Sequence, residues 1–241
     1  MVRIALFTIG KLLISMKFGL FPLTMRRQRA VLFFCCSIWG CGVAGGMAAL
    51  WHYAAQPGAS GEAPAKWPAG SAITASAERA TLVMSVHPHC PCTRASIEEL
   101  SHLMTQAQGL VSAYVLVWTP ADGDAAWAHT ALADAAAGIP GVTVVADEGG
   151  LEAARFGALT SGNTVIYDRR GRLLFAGGIT GARGHAGDNA GRDAAVAGLK
   201  NASGPAARAA VFGCSLRDKV LGAFGMEKSS DNQNERKLGN L

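Results

Sequence analysis

The sequence predicts an α/β fold, a central sheet with helices on its faces, preceded by one membrane-spanning helix. Three observations carry this prediction. Residues 30–55 contain no Lys, Arg, Asp or Glu. Between residues 80 and 158 short apolar runs of strand length alternate with stretches of helical spacing, the pattern of a mainly parallel sheet. The period then changes: "NTVIYD", "RRG" and "RLLFAGG" read as a hairpin that closes the sheet with antiparallel strands.

Taken in order, the chain opens with "IALFTIGKLLISMKFGLFPLTM", an apolar stretch interrupted by Lys11, Lys17 and Pro22. It reads either as a second short span or as an extension upstream of a start at Met25. Residues 1–29 hold six basic side chains (Arg3, Lys11, Lys17, Arg26, Arg27, Arg29) and no acid. The run at 30–55 exceeds the roughly 20 residues that cross a hydrocarbon layer, and Trp51 and Tyr53 sit at its far end, where amphipathic rings favour the headgroups. With "RRQR" at 26–29 as the cytoplasmic flank, everything beyond is expected outside the cytoplasm, on the periplasmic face of an inner membrane or its equivalent. The apolar run is also longer than the ~7–15 residues of a cleaved signal, which favours a retained anchor.

Residues 56–70, "QPGASGEAPAKWPAG", read as a flexible linker, 71–225 as the folded domain, and the polar residues 226–241 as a disordered tail. Within the domain "ATLVMSV" (80–86) is a strand, and a helix follows with Ile97, Leu100, Leu103 and Met104 at helical spacing. "VSAYVLVW" is the next strand, "DAAWAHTALADAAAG" an Ala-rich helix, "VTVVAD" a third strand and "GGLEAARFGA" another helix. After the hairpin, "GRDAAVAGLKNA" supplies the last helix.

The net charge of +5, less the six early positive charges, leaves −1 for the rest of the chain. A nearly neutral domain without a clustered basic face excludes nucleic acid as partner, because that binding requires many phosphates to be neutralised. Of six cysteines, Cys35, Cys36 and Cys41 fall in the apolar run and read as small hydrophobes, while Cys90, Cys92 and Cys214 lie beyond it. An odd number of cysteines in an oxidising compartment points to a free or exchanging thiol rather than a simple staple.

"VHPHCPCTRASIEEL" (86–100) places His87, His89, Cys90 and Cys92 where a strand passes into a helix. Redox pair, metal site and structural staple are all compatible with it. A thiol at a helix N-terminus is shifted toward thiolate, the nucleophile and the metal ligand alike. Arg94 and the two histidines would add to this if turned toward the sulfurs. A Cys90–Cys92 disulfide would close a small strained ring and favour oxidation or isomerisation over reduction.

The order of elements, "CPCTRASIEEL" opening a helix, "ARFGALTSGNTVIYDRRGRLLF" and the closing Gly177 together resemble the thioredoxin superfamily, over roughly residues 73–202. "HPHCPCTR", "GGITGARGHAGDNAG" and "VFGC" look more narrowly like its membrane-anchored RedB group. The resemblance implies a thioredoxin-like fold, with a central mixed sheet flanked by helices, and a thiol–disulfide oxidoreductase acting on protein thiols and disulfides without a cofactor. It implies Cys90 as the attacking thiol and Cys92 as the resolving one. The chain departs from the family in its Cys-x-Cys spacing and in the loop "LTSGN", which lacks the proline found there. Cys214 is a further candidate partner if the chain after Pro205 returns toward the cysteine end of the sheet.

The alternative is a copper-binding or copper-delivery protein. With the prolines holding "HPHCPC" extended, His87 and His89 would point away from Cys90 and Cys92, so a metal needs a distant ligand. The loop after Gly177 should emerge at the cysteine end and bring Arg183, His185, Asp188 and Asn189 near the thiols, making Cys90, Cys92 and His185 the expected copper ligands. The same loop residues could instead only fold the loop through side-chain-to-backbone bonds. His52, His102 and His129 are assigned to the surface or to an interface.

Overall fold

The computed structural model describes residues 25–121, 125–201 and 204–216. Expectations for residues 1–24 and for the tail at 226–241 lie outside these. The chain divides into two units, Met1–His52 and Tyr53–Leu241. The described part of the first is helix α1, Met25–Ala55, whose last residues reach into the second. From Arg27 to Ala55 it is long and apolar enough to cross a membrane. Its large apolar side chains, Phe33, Phe34, Trp39 and Trp51 among them, are exposed all round.

The second unit is built on a six-stranded sheet in the order β3-β2-β1-β4-β5-β6. Strand β1 (Ala80–Val86) pairs in parallel with β2 (Val111–Thr119), and β2 in parallel with β3 (Val142–Glu148). On its other side β1 pairs antiparallel with β4 (Asn163–Tyr167), which forms the expected hairpin with β5 (Leu173–Gly177). This is the mixed sheet flanked by helices of a thioredoxin-like fold.

Alternation along β1 divides the core. Leu82, Met84 and Val86 face helix α2 (Thr93–Gln106), where Ile97, Leu100, Leu103 and Met104 are buried as their spacing predicts, and helix α5 (Ala190–Lys200) with Val196 and Leu199. Val83 faces the other way, toward Leu116, Phe156, Val165 and Tyr167.

The Ala-rich run expected as one helix is split into a 3-10 turn, Ala125–Ala128, and helix α3, Ala131–Ala137. Thr130 divides them, its side chain accepting the N–H of Ala133 as an N-cap. Helix α4 is only Leu151–Arg155, too short to cover its face of the sheet. Residues 56–70, expected as a loose tether, do that instead. Trp67 packs edge-on against Phe156 (5.0 Å) and Tyr167 (5.4 Å), and its N–H donates to the Gly171 carbonyl at 2.7 Å. The Tyr167 hydroxyl donates to the Pro64 carbonyl at 2.9 Å, and the Gly58 N–H to the Val211 carbonyl at 2.8 Å. A Pro- and Gly-rich composition reports weak local preference only, and here tertiary contacts order the segment.

After α5 the chain returns through β6 (Ala207–Arg208), parallel to β5, which the sequence did not predict. It lies tightly against the end of β5: a Cβ on Gly178 would stand 2.6 Å from the Ala210 carbonyl oxygen. That close approach carries residues 211–216 back to the end of the sheet where the other cysteines lie.

Candidate functional site

Strand β1 ends at Val86 and the chain turns rather than staying extended. The Cys90 N–H donates to the His87 carbonyl at 3.1 Å and the Thr93 N–H to the Cys90 carbonyl at 3.0 Å. Cys92 already has helical angles, φ −69° and ψ −23°, at the mouth of α2. The expected placing of imidazoles and thiols on opposite sides of an extended segment therefore does not occur, because these two bonds curl it.

A hydroxyl pair buried beneath the turn holds it. Ser161 Oγ accepts the His87 N–H at 2.9 Å and lies 3.0 Å from Thr93 Oγ1, which donates to the His87 carbonyl at 3.0 Å. Ser161 also binds the returning chain, its N–H donating to the Cys214 carbonyl at 2.8 Å, while the Leu216 N–H donates to Leu159 at 2.9 Å. Gly213 makes this approach possible, since a Cβ there would stand 2.0 Å from the Ser161 carbonyl oxygen.

The result brings Cys214 to the other two cysteines. Its sulfur lies 3.0 Å from that of Cys90, and the sulfurs of Cys90, Cys92 and Cys214 all fall within 4.8 Å of one another. A disulfide needs about 2.05 Å, so the pair is in hydrogen-bond contact and a short movement from bonding. Cys90 is buried, only 2% exposed, whereas Cys92 and Cys214 are each half-buried.

The three thiols titrate as a set. Burial opposes ionisation of Cys90, but hydrogen bonds from the Cys214 thiol, from the backbone at Cys214 and Cys92 and from Thr93 outweigh it, and the thiol falls below its ordinary value. Burial pushes Cys214 up to about 12, helped by its hydrogen bond to Cys90 and by the Cys90 charge, and only partly offset by Arg183. Cys92 is raised by burial and then by the Cys90 charge. Within the set, Cys90 therefore gives up its proton more readily than Cys92 or Cys214.

Of the loop residues expected near the thiols, Arg183 arrives. Its Nη1 donates to the Gly213 carbonyl, the residue before Cys214, and its Nε to the Gln56 carbonyl at 3.1 Å. Its positive charge favours the thiolate forms of Cys92 and Cys214. His185 does not join them. It is exposed, its N–H donates to the Ala182 carbonyl at 3.3 Å within a tight turn, and it is absent from the clustered ligands. The expected copper set of Cys90, Cys92 and His185 is corrected accordingly: the turn that brings Arg183 inward carries His185 outward. Asn189 serves a buried knot in which Glu99 accepts from Gly187, Asn189 and Arg192 at 2.7, 3.1 and 2.7 Å, and exposed Asp188 meets Arg192 at 3.1 Å.

The two histidines beside the cysteines line an aromatic wall. His87 stacks on Trp118 with centroids 5.2 Å apart, and exposed His89 meets Trp127 edge-on at 4.6 Å. Thr93 and the two tryptophans were not singled out from sequence. In the sequence Thr93 reads as an ordinary first residue of a helix, and the tryptophans fall within a strand and an Ala-rich helical run.

No family model matches the chain, and no curated protein matches it. Among solved structures it resembles a hypothetical protein, SMc02350, from Sinorhizobium meliloti 1021, with a TM-score of 0.51 and 19% identity over 67% of this chain and 98% of that one. It also resembles an uncharacterized conserved protein from Geobacillus kaustophilus, with a TM-score of 0.50 and 20% identity over 69% of this chain and 94% of that one. A secreted disulfide oxidoreductase of Mycobacterium tuberculosis matches more loosely, at a TM-score of 0.38 and 15% identity over 51% of this chain and 81% of that one. The first two likenesses establish a shared fold and nothing about activity; the third is too loose to bear on either.

Proposed function

We propose that the protein is a membrane-anchored, thioredoxin-like thiol–disulfide oxidoreductase working outside the cytoplasm on protein thiols, and that its cycling disulfide joins Cys90 to Cys214. The observation that carries this is the 3.0 Å separation of those two sulfurs.

The oxidised protein holds the Cys90–Cys214 bond. A substrate thiolate attacks the more accessible sulfur, that of Cys214, and the electron pair of the broken bond leaves on Cys90, whose lowered pKa makes it the better leaving group. The second substrate thiolate then attacks the substrate sulfur of the mixed disulfide, closing the substrate's own disulfide and releasing Cys214. Two electrons pass from substrate to protein, and Cys214 takes up a proton. Stabilising Cys90 as thiolate favours the reduced protein and so makes the couple oxidising. This reassigns the roles implied by the family resemblance: at 2% exposure Cys90 is poorly placed to attack an external disulfide, and serves as the leaving sulfur. Cys92, within 4.8 Å, is the third thiol that can exchange with either.

The test is disulfide mapping of the full chain, oxidised in detergent micelles with a defined thiol–disulfide buffer. A Cys90–Cys214 linkage with a two-electron potential that Cys214→Ser abolishes supports the reading. A Cys90–Cys92 linkage unaffected by Cys214→Ser overturns it.

A further inference from the structure

Among the described residues one group of metal-ligating side chains comes together in space, and all its donors are sulfur: Cys90, Cys92 and Cys214. Its dimensions can be compared with what a metal would require. Three thiolates around a cation in a plane, at the metal–sulfur distance of about 2.3 Å found for zinc, stand about 4 Å apart. The observed separations are close to that value, 3.0 Å for Cys90 to Cys214 and no more than 4.8 Å across the set. Cys90 is the buried corner of the triangle, and Cys92 and Cys214 are half-buried.

The donor set selects among metals. Soft thiolates suit monovalent copper and zinc, but closed zinc sites take four ligands, and no histidine or carboxylate joins the three sulfurs among the described residues. His185 lies exposed in its own turn, while His87 and His89 are engaged with Trp118 and Trp127. Three-coordinate, all-sulfur binding is a geometry that monovalent copper accepts and zinc does not favour. The charge is manageable as well. Three thiolates and one monovalent cation leave −2 at the site, and the Arg183 guanidinium is held at the Gly213 carbonyl, next to Cys214.

We propose that the reduced protein binds one monovalent copper ion through Cys90, Cys92 and Cys214. As the ion enters, protons still held by the three sulfurs pass to solvent. Binding uses the sulfurs of the proposed exchange reaction but does not require that reaction. It is also gated by the redox cycle: when the reduced protein is re-oxidised, Cys90 and Cys214 pass two electrons to a disulfide of a partner protein as they join, that disulfide becomes two thiols, and two of the three copper ligands disappear. Copper is then held by the reduced form only.

The experiment is an anaerobic titration of the reduced full chain, in detergent micelles, with Cu(I) presented as its complex with a chromogenic chelator. X-ray absorption of the loaded sample and disulfide mapping of the metal-free sample accompany it. The expected result is one Cu(I) per chain with only sulfur in its first coordination shell, an affinity at least tenfold lower in both Cys92→Ser and Cys214→Ser, and no change in His185→Ala. Far-ultraviolet circular dichroism identifies any variant that fails to fold, and the remaining variant then decides. Full binding in a folded Cys214→Ser protein, loss of binding in His185→Ala, or nitrogen in the first shell overturns the proposal. If no Cu(I) binds while the Cys90–Cys214 disulfide forms at a defined potential, the copper site falls and the oxidoreductase stands. If Cu(I) binds as described and no such disulfide forms, the reverse holds.

Discussion

Cys90 and Cys214 lie 124 positions apart in the chain and 3.0 Å apart at their sulfurs. Everything between them, from the crossover of α2 to the return through β6, serves to make that contact. Its consequences can be checked through the hydroxyls beneath it, the proton it shares, the ion pair behind it and the segment that covers the far face of the sheet.

Thr93→Val removes the hydroxyl whose single proton is shared between the His87 carbonyl and the Cys90 sulfur. Cys90 should become less acidic and the redox couple less oxidising. Thiolate absorbance against pH, together with the equilibrium potential, measures both. An unchanged titration would mean that Cys214 and the backbone alone hold the charge.

Ser161→Ala leaves the His87 N–H without its acceptor in a buried place. A buried unsatisfied donor costs about 1–3 kcal/mol, and chemical denaturation of the reduced protein should fall by that amount. Loss of stability without change in redox potential would limit Ser161 to a structural part.

The pH dependence of the reduced protein follows from Cys214. Its pKa is raised in the folded state from 9.0 to about 12, so folding is favoured by its proton below pH 9 and this contribution is lost as the pH rises toward 12. Melting temperature should therefore decline from about pH 9 to pH 12 in the reduced wild type, and less steeply in Cys214→Ser. Parallel curves for the two proteins would contradict the shared proton.

Glu99 is fully buried and its partner Arg192 nearly so, at a distance of 2.7 Å. Breaking a buried pair costs about 3–5 kcal/mol, and Glu99→Ala leaves Arg192 with the exposed Asp188 in place of its buried partner. Glu99→Ala should lose stability on that scale and loosen residues 187–189, whose backbone and Asn189 bind the carboxylate. Hydrogen exchange at Gly187 reports the loosening.

Trp67→Ala should cost about 2 kcal/mol or more, because the indole packs between Phe156 and Tyr167. A tether would lose nothing on this substitution. A protein beginning at residue 71 should accordingly be less stable than one beginning at residue 53.

Local chemistry in the sequence determined the long elements. An uncharged run wrote α1, a continuous apolar stretch wrote the central β1, helical spacing wrote α2, and the change of period wrote the β4–β5 hairpin, each recognisable because the pattern repeats within one element. The same reasoning located Cys90 and Cys92 at a strand-to-helix junction, since that junction is itself a local feature. Tertiary structure decided the rest. Residues 56–70 carry no periodicity, so nothing local announces that Trp67 belongs to the core. Arg183 and His185 are two positions apart in one Gly-rich loop, and only the fold of that loop turns one inward and the other out. Thr93 and Ser161 form a pair across 68 residues, and Cys90 and Cys214 across 124, too far for spacing to foretell. A contact of that kind is set by the packing of all the elements between its ends, and that packing places a third sulfur beside the other two.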